Sequence, residues 1–172
     1  MLSQIRSRPA LFAYGLGLVV LILDQWSKAY ILSGLKLVEG VRVPVLPFMN
    51  FTLVWNKGIS FGGLRSDDGG LGRWMLVAFA FFITAALIYW AYKNTRPILV
   101  GAIGLLIGGA LGNVIDRIRF AAVVDFLDFS KLFFPWVFNL ADSAITVGVL
   151  LLIWDMVQTG EFLPVGSAPQ KE

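Results

Sequence analysis

The sequence predicts an all-α membrane protein, four transmembrane helices with a small β element at the membrane surface, and three observations lead there. Hydrophobic residues make up 58% of the 172 residues and charged ones only 15%, whereas a soluble domain carries about 25% charged residues. Four apolar runs each meet or approach the length of about 20 residues that a helix needs to cross the hydrocarbon core. One stretch between them alternates β-branched and aromatic residues with Pro and Gly, which is a strand texture.

Span one covers residues 9–32, "PALFAYGLGLVVLILDQWSKAYIL", and is free of charge until Asp24. It continues past a typical cleavage region without an A-x-A site, so it reads as a retained helix and not a signal peptide. Residues 38–66 then read as short surface strands, and "RSDDGGLG" as a flexible turn. Span two, residues 73–92, has aromatics at both ends like an interfacial belt. The tight "KNTR" leads into span three, residues 97–115, where Gly104, Gly108 and Gly112 repeat at four-residue spacing. That small-xxx-small pattern predicts close helix packing, or a face that could admit a substrate helix. The next loop holds Asp116, Arg117, Arg119, Asp125, Asp128 and Lys131, and span four covers residues 138–157. Residues 1–160 thus read as one membrane domain, and residues 161–172 as a flexible tail. An even number of spans puts both termini on one side. The dense Arg6/Arg8 and Lys93/Arg96 clusters in short segments favour the cytoplasm for it.

The composition also excludes chemistry. There is no Cys and no His, which removes thiolate and Ser-His nucleophiles and zinc sites of the HExxH type. The net charge of +3 is scattered, with no basic run for nucleic acid. No metal or organic cofactor is called for. With both termini inside, Asp24, Asn56, Lys57, Asp116, Asp125 and Asp142 all fall near the outer interface. Ionisable groups in spans are functional by default, so this convergence marks a site.

Each group also has a bland reading. Asn139 and Asp142 fit a variant capping box. Asp24 and Lys28 fit an i, i+4 ion pair at the membrane edge. Asp116 and Arg117 fit a surface pair, Asp155 an interfacial charge, and spacing alone does not separate Asp125 from Asp128. Two aspartates remain the most economical hydrolytic machine: close carboxylates share a proton, one activating water and the other polarising the scissile carbonyl. A helix N-terminus favours the anion, which makes Asp142 the more acidic member. The rivals are an ion transporter, a scaffold that dimerises through its glycine face, and a Ser-Lys peptidase using Ser60 with Lys57 or Lys28.

Five short motifs in order, "DQWSK" (24–28), "NKGISF" (56–61), "GGALGNVIDR" (108–117), "VVDF" (123–126) and "FNLADSAI" (138–145), resemble the lipoprotein signal peptidase, or signal peptidase II, family over nearly the whole chain. The resemblance implies an aspartic endopeptidase of the bacterial inner membrane with cytoplasmic termini and a site at the extracytoplasmic face. It implies four helices, a small extracytoplasmic β-cradle and a short loop helix. The expected activity is removal of signal peptides from prolipoproteins, by cutting before a diacylglyceryl-modified cysteine. The catalytic pair falls on Asp125 and Asp142, which promotes Asp125 over Asp128. Asp24, Lys28, Asn56, Gly58, Asn113, Asp116, Arg117 and Asn139 match site-lining or site-supporting positions. The cyclic peptide globomycin is the expected inhibitor, membrane lipid surrounds the site, and the protein is expected to act as a monomer. The signal peptide would enter sideways from lipid, against the glycine face of span three, with the "RSDDGGLGR" segment as a hinge.

Overall fold

The computed structural model describes residues 2–58 and 71–160, with side chains from Pro9 onward. Four helices in it are long and apolar enough to cross a membrane. They are α1 (Leu2–Ala29), continued by a π turn over Tyr30–Gly34, α2 (Leu71–Lys93), α3 (Pro97–Phe120) and α4 (Leu140–Thr159). Lipid offers no hydrogen bonds, so apolar runs of this length satisfy their own backbone as helices. Pro97 opens α3 where its missing N–H is harmless. Asn139 caps α4: its side chain accepts from Asp142 N, and the Asp142 carboxylate accepts from Asn139 N in return. The expected capping box is therefore present.

Two features depart from the expected layout. Helix α3 runs past Ile115, so Asp116, Arg117 and Arg119 sit on its last turns and not in a loop. The two arginines there complement the negative end of the helix dipole. The following loop contributes two strands, β3 (Val123–Asp128) and β4 (Val137–Phe138), with a 3₁₀ turn over Ser130–Leu132 between them. They join β1 (Arg42–Leu46) and β2 (Met49–Asn56) in one antiparallel sheet of order β1-β2-β3-β4. The short run "VVDFLD" has no period that separates strand from helix. Pairing with β2 decides it. The rest of the expected strand region, residues 59–66, the hinge segment up to residue 70 and the tail 161–172 lie outside the described residues.

One side of the sheet carries Leu53, Val124 and Phe126 into a small core with Ile31 and Leu37, at the end of α1. Period 2 along β3 turns Asp125 to the opposite side. On β2 an extra residue falls between the pairs Phe51↔Leu127 and Val54↔Asp125. That bulge lies beside Asp125 and re-aims the side chains around it.

Helix α3 is the centre of the bundle and packs on the other three helices. Its glycines let it approach them closely. A Cβ on Gly104 would meet the Ala13 carbonyl oxygen at 2.6 Å, and one on Gly112 would meet Asp24 Oδ2 at 2.5 Å. Gly108 lies against Gly17 and Val20, so the whole 104/108/112 ridge is filled by α1. This corrects the expectation that the glycine face could receive a substrate helix: the chain itself occupies it. The outward faces are apolar, with Leu11, Phe82, Leu150 and Ile153 exposed to what is lipid in a membrane.

Replacing Gly104 by Leu should therefore force α1 and α3 apart and destabilise the fold by about 1–3 kcal/mol or more. Gly15 has nothing within 4 Å of its Cβ position, so Gly15→Ala should be neutral or stabilise by up to about 1 kcal/mol. Thermal unfolding in detergent separates the two, and equal effects would count against the packing role of the ridge.

Candidate active site

Asp125 on β3 and Asp142 in the first turn of α4 are brought together by one residue, Asn139. Its side-chain amide donates to Asp125 Oδ1 at 2.7 Å, and its backbone N–H donates to Asp142 Oδ2 at 3.2 Å. Asn139 is fully buried. The second oxygen of each carboxylate has its own amide donor. Asn56 Nδ2 donates to Asp125 Oδ2 at 3.0 Å, and Asn113 Nδ2 donates to Asp142 Oδ1 at 2.8 Å. Asn56 is oriented in turn because its Oδ1 accepts from Gly58 N. Gly58 has φ +155°, a region nearly restricted to glycine.

Beneath this pair lies a cluster of charges. Lys28 Nζ is 2.8 Å from Asp24 Oδ2 and 2.7 Å from Asp116 Oδ2, and it donates to Asn113 Oδ1 at 3.2 Å. Asp24 and Asp116 are fully buried and Lys28 is 2% exposed. One expectation is extended here and one corrected. The expected i, i+4 pair of Asp24 and Lys28 is present, but it is buried and forms part of a triad with Asp116. Asp116 pairs with Lys28 and not with Arg117, because α3 turns it inward. Arg117 Nη1 instead donates to the Asn113 carbonyl at 3.3 Å, with its charge felt by Asp142 and Asp125.

Asp128 is drawn elsewhere. It accepts from Thr52 Oγ1 at 2.7 Å and from Ser130 N at 2.9 Å, with Arg42 Nε at 3.4 Å. Asp155, expected as an interfacial charge, is buried and ion-paired with Arg96 at the other end of the bundle. Gln25 escaped the sequence reading. Its Nε2 donates to Asp24, Asp116 and the Gly112 carbonyl, and a second polar residue beside Asp24 in an apolar span was the available signal. Also unforeseen is a cavity of about 380 Å³ along α4, lined by Asp142, Ser143, Thr146 and Val147 with Phe134, Trp136 and Phe138. No periodicity in the loop announces that aromatic wall. Lys57 follows β2 and is exposed, while Ser60 lies outside the described residues.

The two aspartates of β3 are electrostatic opposites. Burial first, then the charge of Asp142, push Asp125 from 3.8 up to about 7, against the hydrogen bonds from Asn56 and Asn139. Burial alone would raise Asp128 too, but the hydrogen bonds from Ser130 and Thr52, with Arg42 nearby, bring it down to about 2. For Asp125 the consequence has a definite sign. Below the unfolded value its carboxyl is protonated in both states and its contribution to stability is fully present. As pH rises through about 7 the fold must hold a buried anion, and that stability is lost. The neutral Asp125→Asn protein should therefore unfold at a higher temperature than the unchanged protein at pH 8. The difference should vanish near pH 4, and a pH-independent difference would sink this account.

Comparisons with known proteins place the chain in a family. A family model for signal peptidase (SPase) II matches residues 16–158. A lipoprotein signal peptidase of Caulobacter vibrioides is 48% identical over 150 residues, covering 87% of this chain and 88% of the relative. One of Rhodopseudomonas palustris is 40% identical over 158 residues, 89% of this chain and 94% of the relative. A solved bacterial membrane enzyme superposes with a TM-score of 0.74 at 30% identity, over 94% of this chain and 93% of its own. This multi-pass membrane protein belongs to the signal peptidase II family.

Proposed function

We propose that this chain removes signal peptides from prolipoproteins as an aspartic endopeptidase, with Asp125 and Asp142 as its catalytic dyad. The observation that carries this is the double role of Asn139, whose amide and backbone N–H hold one oxygen of each carboxylate. Asp142 lines the cavity from the first turn of α4. It takes a proton from the attacking water. Asp125, held near 7, carries the shared proton at neutral pH. It donates a hydrogen bond to the scissile carbonyl as the oxyanion develops, and the amine then leaves with a proton as the tetrahedral intermediate collapses.

The cut falls before a diacylglyceryl-modified cysteine. The acyl chains stay in lipid, and the aromatic wall of Phe134, Trp136 and Phe138 bounds the cavity on the sheet side. Both termini are cytoplasmic and the site lies at the outer face of the bacterial inner membrane. Residues 1–160 act as one peptidase domain, as a monomer, and residues 161–172 as its tail. Globomycin occupies the same cavity. Asn56, Gly58, Asn113 and Asn139 orient the dyad, and Arg117 supplies a nearby positive charge.

Cleavage of a diacylglyceryl-cysteine prolipoprotein peptide by the purified chain tests this. Asp125→Asn and Asp142→Asn should each lose about 10²–10⁴-fold in turnover while remaining folded. Asp128→Asn should retain turnover, and the unmodified peptide should not be cut. Turnover of the unchanged enzyme should fall as pH rises through about 7, where Asp125 gives up its proton. Turnover surviving Asp142→Asn would return that residue to a helix cap.

A further inference from the structure

We infer that Asp24, Lys28 and Asp116 form a buried strut that fixes the separation of the two dyad carboxylates. Each acid of the triad accepts from the backbone N–H one residue before a member of the dyad. Asp116 Oδ2 accepts from Val124 N at 3.1 Å, next to Asp125. Asp24 Oδ1 accepts from Ala141 N at 3.0 Å, next to Asp142. Lys28 Nζ stands between the two acids at 2.7 and 2.8 Å. A continuous chain of amide, carboxylate, ammonium, carboxylate and amide thus joins the backbone of β3 to the backbone of α4.

The three side chains belong to α1 and α3, two transmembrane helices that carry neither member of the dyad. The two acids accept from the backbone beside the dyad, Lys28 bridges them, and none of the three hydrogen-bonds a dyad carboxylate, so they are positioning residues and not catalytic ones. A buried ion cluster is a poor device for stability, since desolvation offsets much of the attraction. Its value lies in geometry. Gln25 ties the two acids together from a second side, by donating to both. Lys28 also donates to Asn113 Oδ1, which turns the Asn113 amide so that Nδ2 points at Asp142. The Arg96–Asp155 pair, at the opposite end of the bundle, joins the start of α3 to the last turns of α4, with Arg96 27% exposed. It is a built-in control.

The inference rests on the proposed dyad, so the test carries Asp125→Asn in parallel. We would measure kcat, KM and unfolding temperature of the full chain in detergent, with a diacylglyceryl-cysteine prolipoprotein peptide, for Asp116→Asn, Lys28→Met, their combination and Asp155→Asn. Asp116→Asn keeps one oxygen for Val124 N, but it removes the negative charge that pairs with Lys28 Nζ, and Gln25 loses its acceptor at Oδ1. A misplacement of about 1 Å costs roughly 10²-fold, so Asp116→Asn and Lys28→Met should each lower kcat by about that factor with KM little changed. The combination should be no worse than Lys28→Met alone, because the chain is already broken there. Asp155→Asn should lower the unfolding temperature and leave kcat unchanged. If Lys28→Met does not fold, Asp116→Asn decides. The strut is overturned if folded Asp116→Asn keeps the original kcat, if its loss appears in KM, or if Asp116→Asn fails to fold, which would make the triad scaffolding only. Full activity in Asp125→Asn would sink the dyad reading instead, a different outcome.

Discussion

Three charges taken out of water at one end of a helical bundle set the terms for the rest of this structure. Removing an ion from water costs several kcal/mol, and breaking a buried pair costs about 3–5 kcal/mol. Asp24, Lys28 and Asp116 are tolerable together only because their remaining lone pairs and protons find partners. Gln25, Asn113 and two backbone N–H groups supply them. Those partners come from α1, α3, β3 and the start of α4. A bundle that satisfies this cluster has little freedom in how its elements meet.

The glycines follow from the same demand. For Lys28 on α1 to reach Asp116 on α3, the two helices must approach closely, and Gly104, Gly108 and Gly112 leave the room. Gly112 is the most telling, since a methyl group there would occupy the place of the Asp24 carboxylate. In lipid no hydrophobic effect drives helices together, so close backbone approach and polar contacts must do so. Here the small residues and the buried charges act on the same pair of helices. A fourth glycine, Gly109, receives the Ala141 carbonyl and Ile145 and brings α4 in on the other side of α3.

Within the sheet, position alone divides two residues of the same type. Asp125 and Asp128 lie three apart on β3 and so point to opposite sides. One lies in a buried site near the charge of Asp142, which pushes its carboxyl up to about 7. The other meets a hydroxyl, a backbone N–H and an arginine, and is a stable anion. The bulge on β2 lets Thr52 serve Asp128 while Asn56 serves Asp125. An acid and an anion from one strand require no difference in chemistry, only in surroundings.

By itself the sequence determined the membrane class, the four helices, the capping box at Asn139 and Asp142, and the kind of chemistry open to a chain without His or Cys. These are local: length, hydropathy, capping and composition act within a few residues of themselves. The motif set also named the family and its aspartates. The tertiary structure alone decided that β3 and β4 complete the sheet, that the glycine ridge is filled by α1, and that Asp116 turns inward to Lys28. It alone decided that Asp128 is spoken for by Thr52 and that Gln25 belongs to the polar cluster. Each of these joins residues distant in sequence, as Asp24 is from Ala141. Their partners are selected by packing and by the need to satisfy every buried polar group, and neither condition exists until the chain has folded.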